Sequence, residues 1–167
     1  MKKLIIVNGT MGVGKTATCR ALQALLPANV FLDGDWCWDA RPFVVTDETK
    51  EMALDNIVHL LNSFLRCSAY ENIIFCWVLH EPSILDALCA RLDTAGCAVR
   101  VFTLVCGEAA LRDRLARDVA ASRRTADVIG RSAARLPLYD AFENEKLDVT
   151  EISAEQAAAE IAARLPQ

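Results

Sequence analysis

Residues 3–20 read Lys-Leu-Ile-Ile-Val-Asn-Gly-Thr-Met-Gly-Val-Gly-Lys-Thr-Ala-Thr-Cys-Arg. Gly9 is followed by four residues and then by Gly14-Lys15-Thr16, the spacing of a phosphate-binding loop. Leu4-Ile5-Ile6-Val7 before it reads as a buried strand. Ala17, Ala21, Leu22, Leu25 and Leu26 after it fall at helical spacing. Glycines let such a loop curl until several N–H groups face one anion, and the new helix adds its free N–H groups. The spacing therefore predicts that Gly9, Thr10, Met11, Gly12, Val13, Gly14, Lys15, Thr16 and Ala17 bind a nucleoside triphosphate. Lys15 reaches the β- and γ-phosphates, and the Thr16 hydroxyl ligates Mg²⁺.

The rest of the chain alternates strand and helix signals. Short apolar runs at Val30–Leu32, Ile73–Leu79, Ala98–Val105 and Lys146–Val149 read as strands. Helices are expected over Asp47 to about Ser68, Pro82 to near Gly96, Glu108 to about Ala121, and from Thr125 to about Glu143. A last helix is capped by Ser153 with Gln156 three residues on. That alternation implies a parallel sheet with right-handed crossovers and helices on both faces. Ligands then sit at the carboxyl ends of the strands, where Gly9, Asp33, Asp35 and His80 fall. With 167 residues, one domain spanning 1–167 is expected.

Charge and composition exclude several classes. A net charge of −4 gives no basic footprint for nucleic acid. The longest apolar runs are too short for a membrane span, and Met1-Lys2-Lys3 with the first strand is too short for a leader. The seven cysteines are odd in number and lack C-x-x-C spacing, so they read as buried free thiols of a cytoplasmic protein. Strand three lacks the terminal aspartate of NTP-driven motors. Asn144-Glu145-Lys146-Leu147-Asp148 does not match the guanine-reading N-K-x-D element.

Asp33-Gly34-Asp35 follows the second strand. With an extended backbone, one carboxylate would face the phosphates and the other the acceptor. Phosphoryl transfer needs both a metal shell and an oriented acceptor hydroxyl. Either aspartate could take either role; Asp33, with Thr16, is the candidate for Mg²⁺ and Asp35 for the acceptor.

The order phosphate loop, helix, strand, Asp-Gly-Asp resembles the small P-loop kinases. That group includes shikimate, gluconate, adenylylsulfate and nucleoside-monophosphate kinases and chloramphenicol phosphotransferase. The resemblance implies a P-loop NTPase three-layer α/β/α sandwich with a five-stranded parallel sheet in the order 2-3-1-4-5 and a short helical lid. It implies ATP and Mg²⁺ as cofactors and an acceptor segment at about 34–68. A small-molecule substrate is expected, on a monomer or homodimer, with no nucleic-acid or membrane partner.

Seven of 18 basic residues lie between Arg112 and Arg135, all arginine. Arginine's planar fork suits phosphate oxygens. The segment resembles the kinase lid, at about 114–135, with Arg114, Arg117, Arg124 and Arg131 as its candidates. Asp127, Arg131, Arg135 and Tyr139 recur every four residues, as one helical stripe would. On the acceptor side, Trp36, Trp38 and Phe43 supply aromatic surface, Arg41 an anion grip, and His80 a contact at the end of strand three. The chain thus reads as an ATP- and Mg²⁺-dependent phosphotransferase for a small molecule, favouring a nucleotide or nucleoside-like acceptor. A sugar acid or antibiotic hydroxyl is the rival acceptor, and a nucleotide-binding module without transfer the rival class.

Overall fold

A computed structural model describes residues 1–166. Five parallel strands form one sheet: β1 Lys2–Asn8, β2 Asn29–Asp33, β3 Asn72–Cys76, β4 Cys97–Val105 and β5 Glu145–Asp148. Their spatial order is β2-β3-β1-β4-β5. The helices are α1 Lys15–Leu25, α2 Asp47–Arg66, α3 Pro82–Cys89, α4 Glu108–Ala120, α5 Asp127–Arg135 and α6 Ala154–Ala163. This is the P-loop NTPase α/β fold that the resemblance implies.

Side-chain alternation along the strands separates two cores. Ile5, Val7, Phe31, Ile74 and Phe102 point to α1 and α6, where they meet Cys19, Leu22, Ala158 and Ile161. Leu4, Ile6, Leu32, Ile73 and Phe75 point to α2 and α3, against Ile57, Leu61 and Leu88. Leu4 to Val7 have no exposed surface, as a central parallel strand covered on both faces requires. A third cluster, Leu111, Leu115 and Val128, packs α4 and α5 against Met11 of the phosphate loop.

Register sets the site. Cys76 pairs with Val7 on one side and with Asp33 on the other, so β1, β3 and β2 end at one level. Gly9 and Asp33 are thereby held along one edge of the sheet, with the end of β3 between them.

Three elements stop earlier than the sequence predicts. β3 ends at Cys76 rather than Leu79. Beyond it Leu79 N–H donates to Asn8 Oδ1 at 3.0 Å, a side-chain partner in place of a ladder bond. α3 ends at Cys89 rather than near Gly96. There Asn62 on α2 donates to Arg91 O at 3.0 Å and accepts from Asp93 N at 2.8 Å, drawing the chain out of the helix. α5 ends at Arg135 because Pro137 has no N–H to donate, and a 3-10 turn continues over Leu136–Ala141. Among the described residues no helix is long and apolar enough to cross a membrane. All seven cysteines are free, but only Cys19 and Cys76 are buried; the other five are partly exposed, which corrects the expectation of buried thiols.

Candidate functional site

The phosphate loop takes the backbone its glycines permit. Gly12 has φ +80° and a Cβ there would lie 2.4 Å from Leu115 of α4. Gly14, at φ +112°, is the residue from which α1 starts. The Lys15 ammonium donates to Thr10 O at 2.9 Å. Burial lowers its pKa, opposed by the nearby Cys76, Asp35 and Asp33. Val13 is buried in the core, Met11 and Thr16 sit at the loop's margins, and Ala17 is exposed on α1.

The Thr16 hydroxyl donates to Asp33 Oδ2 at 2.6 Å. Asp33 is buried and its other oxygen accepts from Asp35 N at 3.1 Å. That bond caps a 3-10 turn over Gly34–Cys37. The aspartates therefore do not alternate along an extended strand, as the sequence predicts; the turn carries Asp35 beyond the sheet. Asp35 is open to solvent on its outer side. Crowding on its inner side, then the Asp33 charge, raises its pKa, while Lys15, Arg124 and the facing Trp77 indole hold it down. Asp33, Asp35, Lys15 and Thr16 are thus brought together, and the charge of Arg124 reaches both Lys15 and Asp35.

The remaining candidates divide. Arg114 lies at the base of the loop: its guanidinium donates to Val13 O at 3.1 Å, to Thr150 O at 3.2 Å and to Val149 O. It borders a cavity of about 210 Å³ with Val13, Val149, Ile152 and Ala157. Arg117 does not join it; it is exposed and bonds Asp113 O of its own helix. Arg124 pairs with Asp118 at 3.5 Å, and Arg131 with Asp127 at 2.8 Å on the solvent side of α5. Tyr139 is not on the α5 stripe, because the helix has ended; it is buried and stacks on Phe142.

The aromatic segment also splits. Trp38 stacks on Phe43 with centroids 4.6 Å apart. Trp36 turns the other way, edge-on to Phe31 and under the Arg20 guanidinium. Phe31 belongs to the α1 side of the sheet, so Trp36 and Trp38 do not share one pocket. Arg41 is exposed. His80 is half-buried, with Nε2 3.7 Å from Glu81 Oε1 and no partner on Nδ1 among the described residues. A wider depression of about 500 Å³ runs along α2 past Asp55, His59, Asn62 and Arg66, and is lined by no residue of the phosphate loop.

Three contributors escape a reading of the sequence alone. Trp77 looks like a strand residue, yet its ring fills the space beside Gly34. Asn8 is fully buried; its Oδ1 accepts from Gly9 N at 2.7 Å and from Leu79 N, tying the loop to the end of β3. Ser132 of α5 reaches the loop through Thr10. A tryptophan within the apolar run Ile73–Leu79 was the one available signal; the other two gave none.

A protein-family model described as "AAA domain" matches residues 5–137. The chain belongs to that family. Its fold is also that of the Deinococcus radiodurans tunicamycin resistance protein (24% identity, TM-score 0.76, covering 98% of this chain and 95% of that one). A gluconokinase from Sinorhizobium meliloti aligns at 18% identity and TM-score 0.68 over 96% and 94% of the two chains. A shikimate kinase from Acinetobacter baumannii aligns at 18% and 0.63 over 99% and 97%. Among curated protein sequences none matches. This family member therefore shares its P-loop α/β fold, over nearly its whole length, with proteins that carry different names.

Proposed function

We propose that the chain is an ATP- and Mg²⁺-dependent phosphotransferase acting on a hydroxyl of a small molecule. The observation that carries this reading is the Thr16–Asp33 contact at 2.6 Å, placed beside Lys15 and one turn from Asp35. A loop that only held a nucleotide would need Lys15 and the backbone amides, but not a second carboxylate on the open side. The named solved structures support it: one is called a gluconokinase and another a shikimate kinase.

Mg²⁺ keeps several waters and takes one or two protein oxygens beside substrate phosphates. Thr16 Oγ1 and Asp33 Oδ2 fit that demand and would hold it, and the ion would offset negative charge on the β- and γ-phosphates. Arg114, Val149 and Ile152 border the cavity beside the loop in which the nucleoside would sit. Lys15 exchanges the Thr10 carbonyl for phosphate oxygens. Asp35 accepts the proton as the acceptor oxygen bonds to the γ-phosphorus and the bond to the ADP oxygen breaks. Its raised pKa makes it a stronger base than an ordinary aspartate. Arg124, whose charge reaches both Lys15 and Asp35, would add positive charge beside the transferring group.

On the acceptor side the pair of half-buried Trp38 and exposed Phe43 is the surface left for an apolar or planar group. We read the acceptor as a small hydroxyl compound, with sugar acids, nucleosides and antibiotics as the classes to compare. Mg-ATP turnover screened against these classes tests the proposal. One acceptor should raise ADP release above background and carry the phosphate, and Lys15→Ala and Asp35→Ala should each abolish it. Full transfer by Asp35→Ala would remove that residue from the reaction. Nucleotide binding with no phosphoproduct from any class would favour a binding module.

A further inference from the structure

Thr10 of the phosphate loop and Ser132 of α5 lie 122 positions apart in sequence, and neither has exposed surface. Thr10 Oγ1 donates to Ser132 O at 3.0 Å and lies 2.9 Å from Ser132 Oγ. The Ser132 hydroxyl donates in turn to Met11 O. The pair is therefore reciprocal. One hydroxyl serves the end of the helix, and the other serves the loop.

Its energetics explain why both hydroxyls are there. The last carbonyls of a helix lack partners within it. Leu136 N–H, which could have reached Ser132 O, bonds Ala133 O instead. Thr10 fills that vacancy. A buried polar group with no partner is costly, and here each hydroxyl has a carbonyl to satisfy: Thr10 Oγ1 serves the Ser132 carbonyl and Ser132 Oγ serves the Met11 carbonyl. The neighbouring Ala133 and Ala134 show that α5 itself does not call for a hydroxyl here.

Two further contacts give the pair its reach. Thr10 O accepts from Lys15 Nζ at 2.9 Å, so the residue gripped by α5 is also the one that parks the loop lysine. α5 follows directly on the Arg123–Arg124 turn and carries Arg131. Any displacement of that segment must therefore move Thr10 and Met11 or break a buried bond.

We propose that Ser132 is a positioning residue of the phosphate loop. Through Thr10 and Met11 it makes the loop's phosphate-binding conformation and the position of the arginine-bearing helix one coupled element. The proposal deepens the nucleotide reading of this site and rests on it. Phosphate binding then orders α5 by way of Thr10, and not only through direct contacts of the arginines.

The test uses the full chain, with Mg-ATP and adenosine as separate probes in titration calorimetry. Thr10→Val and Ser132→Ala should each weaken ATP by about tenfold, within the range for a buried bond left half-made. Adenosine, which lacks the phosphates, should bind within about twofold of wild type in both, a split that a general loss of structure would not produce. Thr10→Ser, which restores the hydroxyl, should recover most of the ATP affinity. The double variant should lose more than either single variant but less than their sum, because the two remove different bonds around one shared contact between the hydroxyls. In wild type, ATP should slow amide exchange across 127–135, and ATP-saturated Thr10→Val should lose that protection. ATP affinity unchanged in both variants, or a parallel loss for ATP and adenosine, overturns the coupling alone. No ATP binding by wild type would instead sink the nucleotide reading, and this proposal with it.

Discussion

The ring of Trp77 occupies the space that a side chain on Gly34 would need. A Cβ at Gly34 would stand 2.5 Å from two carbons of the indole. The glycine between the two aspartates is thus fixed by packing as much as by its turn, and the same indole faces the Asp35 carboxylate. Gly34→Ala should force Trp77 or the turn to shift, at about 1–3 kcal/mol for overpacking. The melting temperature should fall by several degrees. ATP affinity should stay within about tenfold, since the loop is untouched, while transfer falls much further. Trp77→Phe keeps the ring and removes the N–H. It should move the acid limb of the kcat profile to higher pH, because one contact favouring ionised Asp35 is gone.

Asp35 and Lys15 should make the fold less stable at neutral pH. The folded pKa of Asp35 is raised, so the native state binds its proton more readily than the unfolded chain does. Stability from this group is then greatest below the ordinary aspartate range and declines as pH rises through the folded pKa. Lys15 has the opposite shift, a lowered pKa, so its cost is present while both states are charged and fades only at alkaline pH. Asp35→Asn and Lys15→Met should therefore each raise the melting temperature at pH 7 while abolishing transfer. The Asp35→Asn gain should vanish below about pH 4. A lower melting temperature for both at pH 7 would contradict this account.

Arg114 and Arg117 lie on one helix but should behave differently. Arg114 satisfies three backbone carbonyls that join the phosphate loop to the segment after β5. Arg114→Ala leaves those acceptors unpaired, at about 1–3 kcal/mol, and should weaken both folding and ATP binding. Arg114→Lys should rescue little, because one ammonium cannot span three carbonyls as the fork does. Arg117→Ala removes an exposed bond within α4 and should change stability by less than about 0.5 kcal/mol. Denaturant unfolding and nucleotide titration of the three variants would check it. Equal losses at the two positions would return Arg117 to the site.

Much of this was legible in the chain because local signals and fold agreed. Gly9–Thr16, the buried runs and the Ser153 cap all specify their elements within a few residues. Errors came where a side chain took a backbone N–H or carbonyl from the expected element, twice from far away in sequence and once from two residues away. Asn8 takes the N–H of Leu79, Asn62 takes the turn after α3, and Asp33 caps the turn that displaces Asp35. The four-residue stripe through Tyr139 failed for a local reason: Pro137 ends the helix, and spacing alone does not weigh that. Trp36 and Trp38 look like one aromatic patch in sequence. A 3-10 turn between them sends Trp36 to the α1 side, which no periodicity announces. Ser132 sits in an unremarkable Arg-Ser-Ala-Ala run, and its role exists only through a contact with a residue far away in sequence.

The Arg123–Arg124 turn should be the segment that nucleotide closes. Ser122 adopts φ +55°, Arg123 N–H reaches back to Asp118 O at 2.9 Å, and the chain leaves α4 exposed. Asp118 pairs with both arginines, at 3.0 and 3.5 Å, and these exposed pairs are weak. The charge of Arg124 already reaches Lys15 and Asp35, so a bound triphosphate would compete with Asp118 for it. Trypsin cuts after arginine and needs several flexible residues around the bond. Cleavage at Arg123 and Arg124 should therefore be fast in the free chain and at least several-fold slower with Mg-ATP. Asp118→Asn should speed cutting without nucleotide, since the open state loses its anchor, and should leave the ATP-bound rate nearly unchanged. Arg124→Gln removes the group that the phosphates would draw in. In that variant ATP should protect the Arg123 site much less than in wild type. Protection that survives Arg124→Gln in full would place closure on other residues of the segment, and equal rates with and without ATP would mean that it does not close.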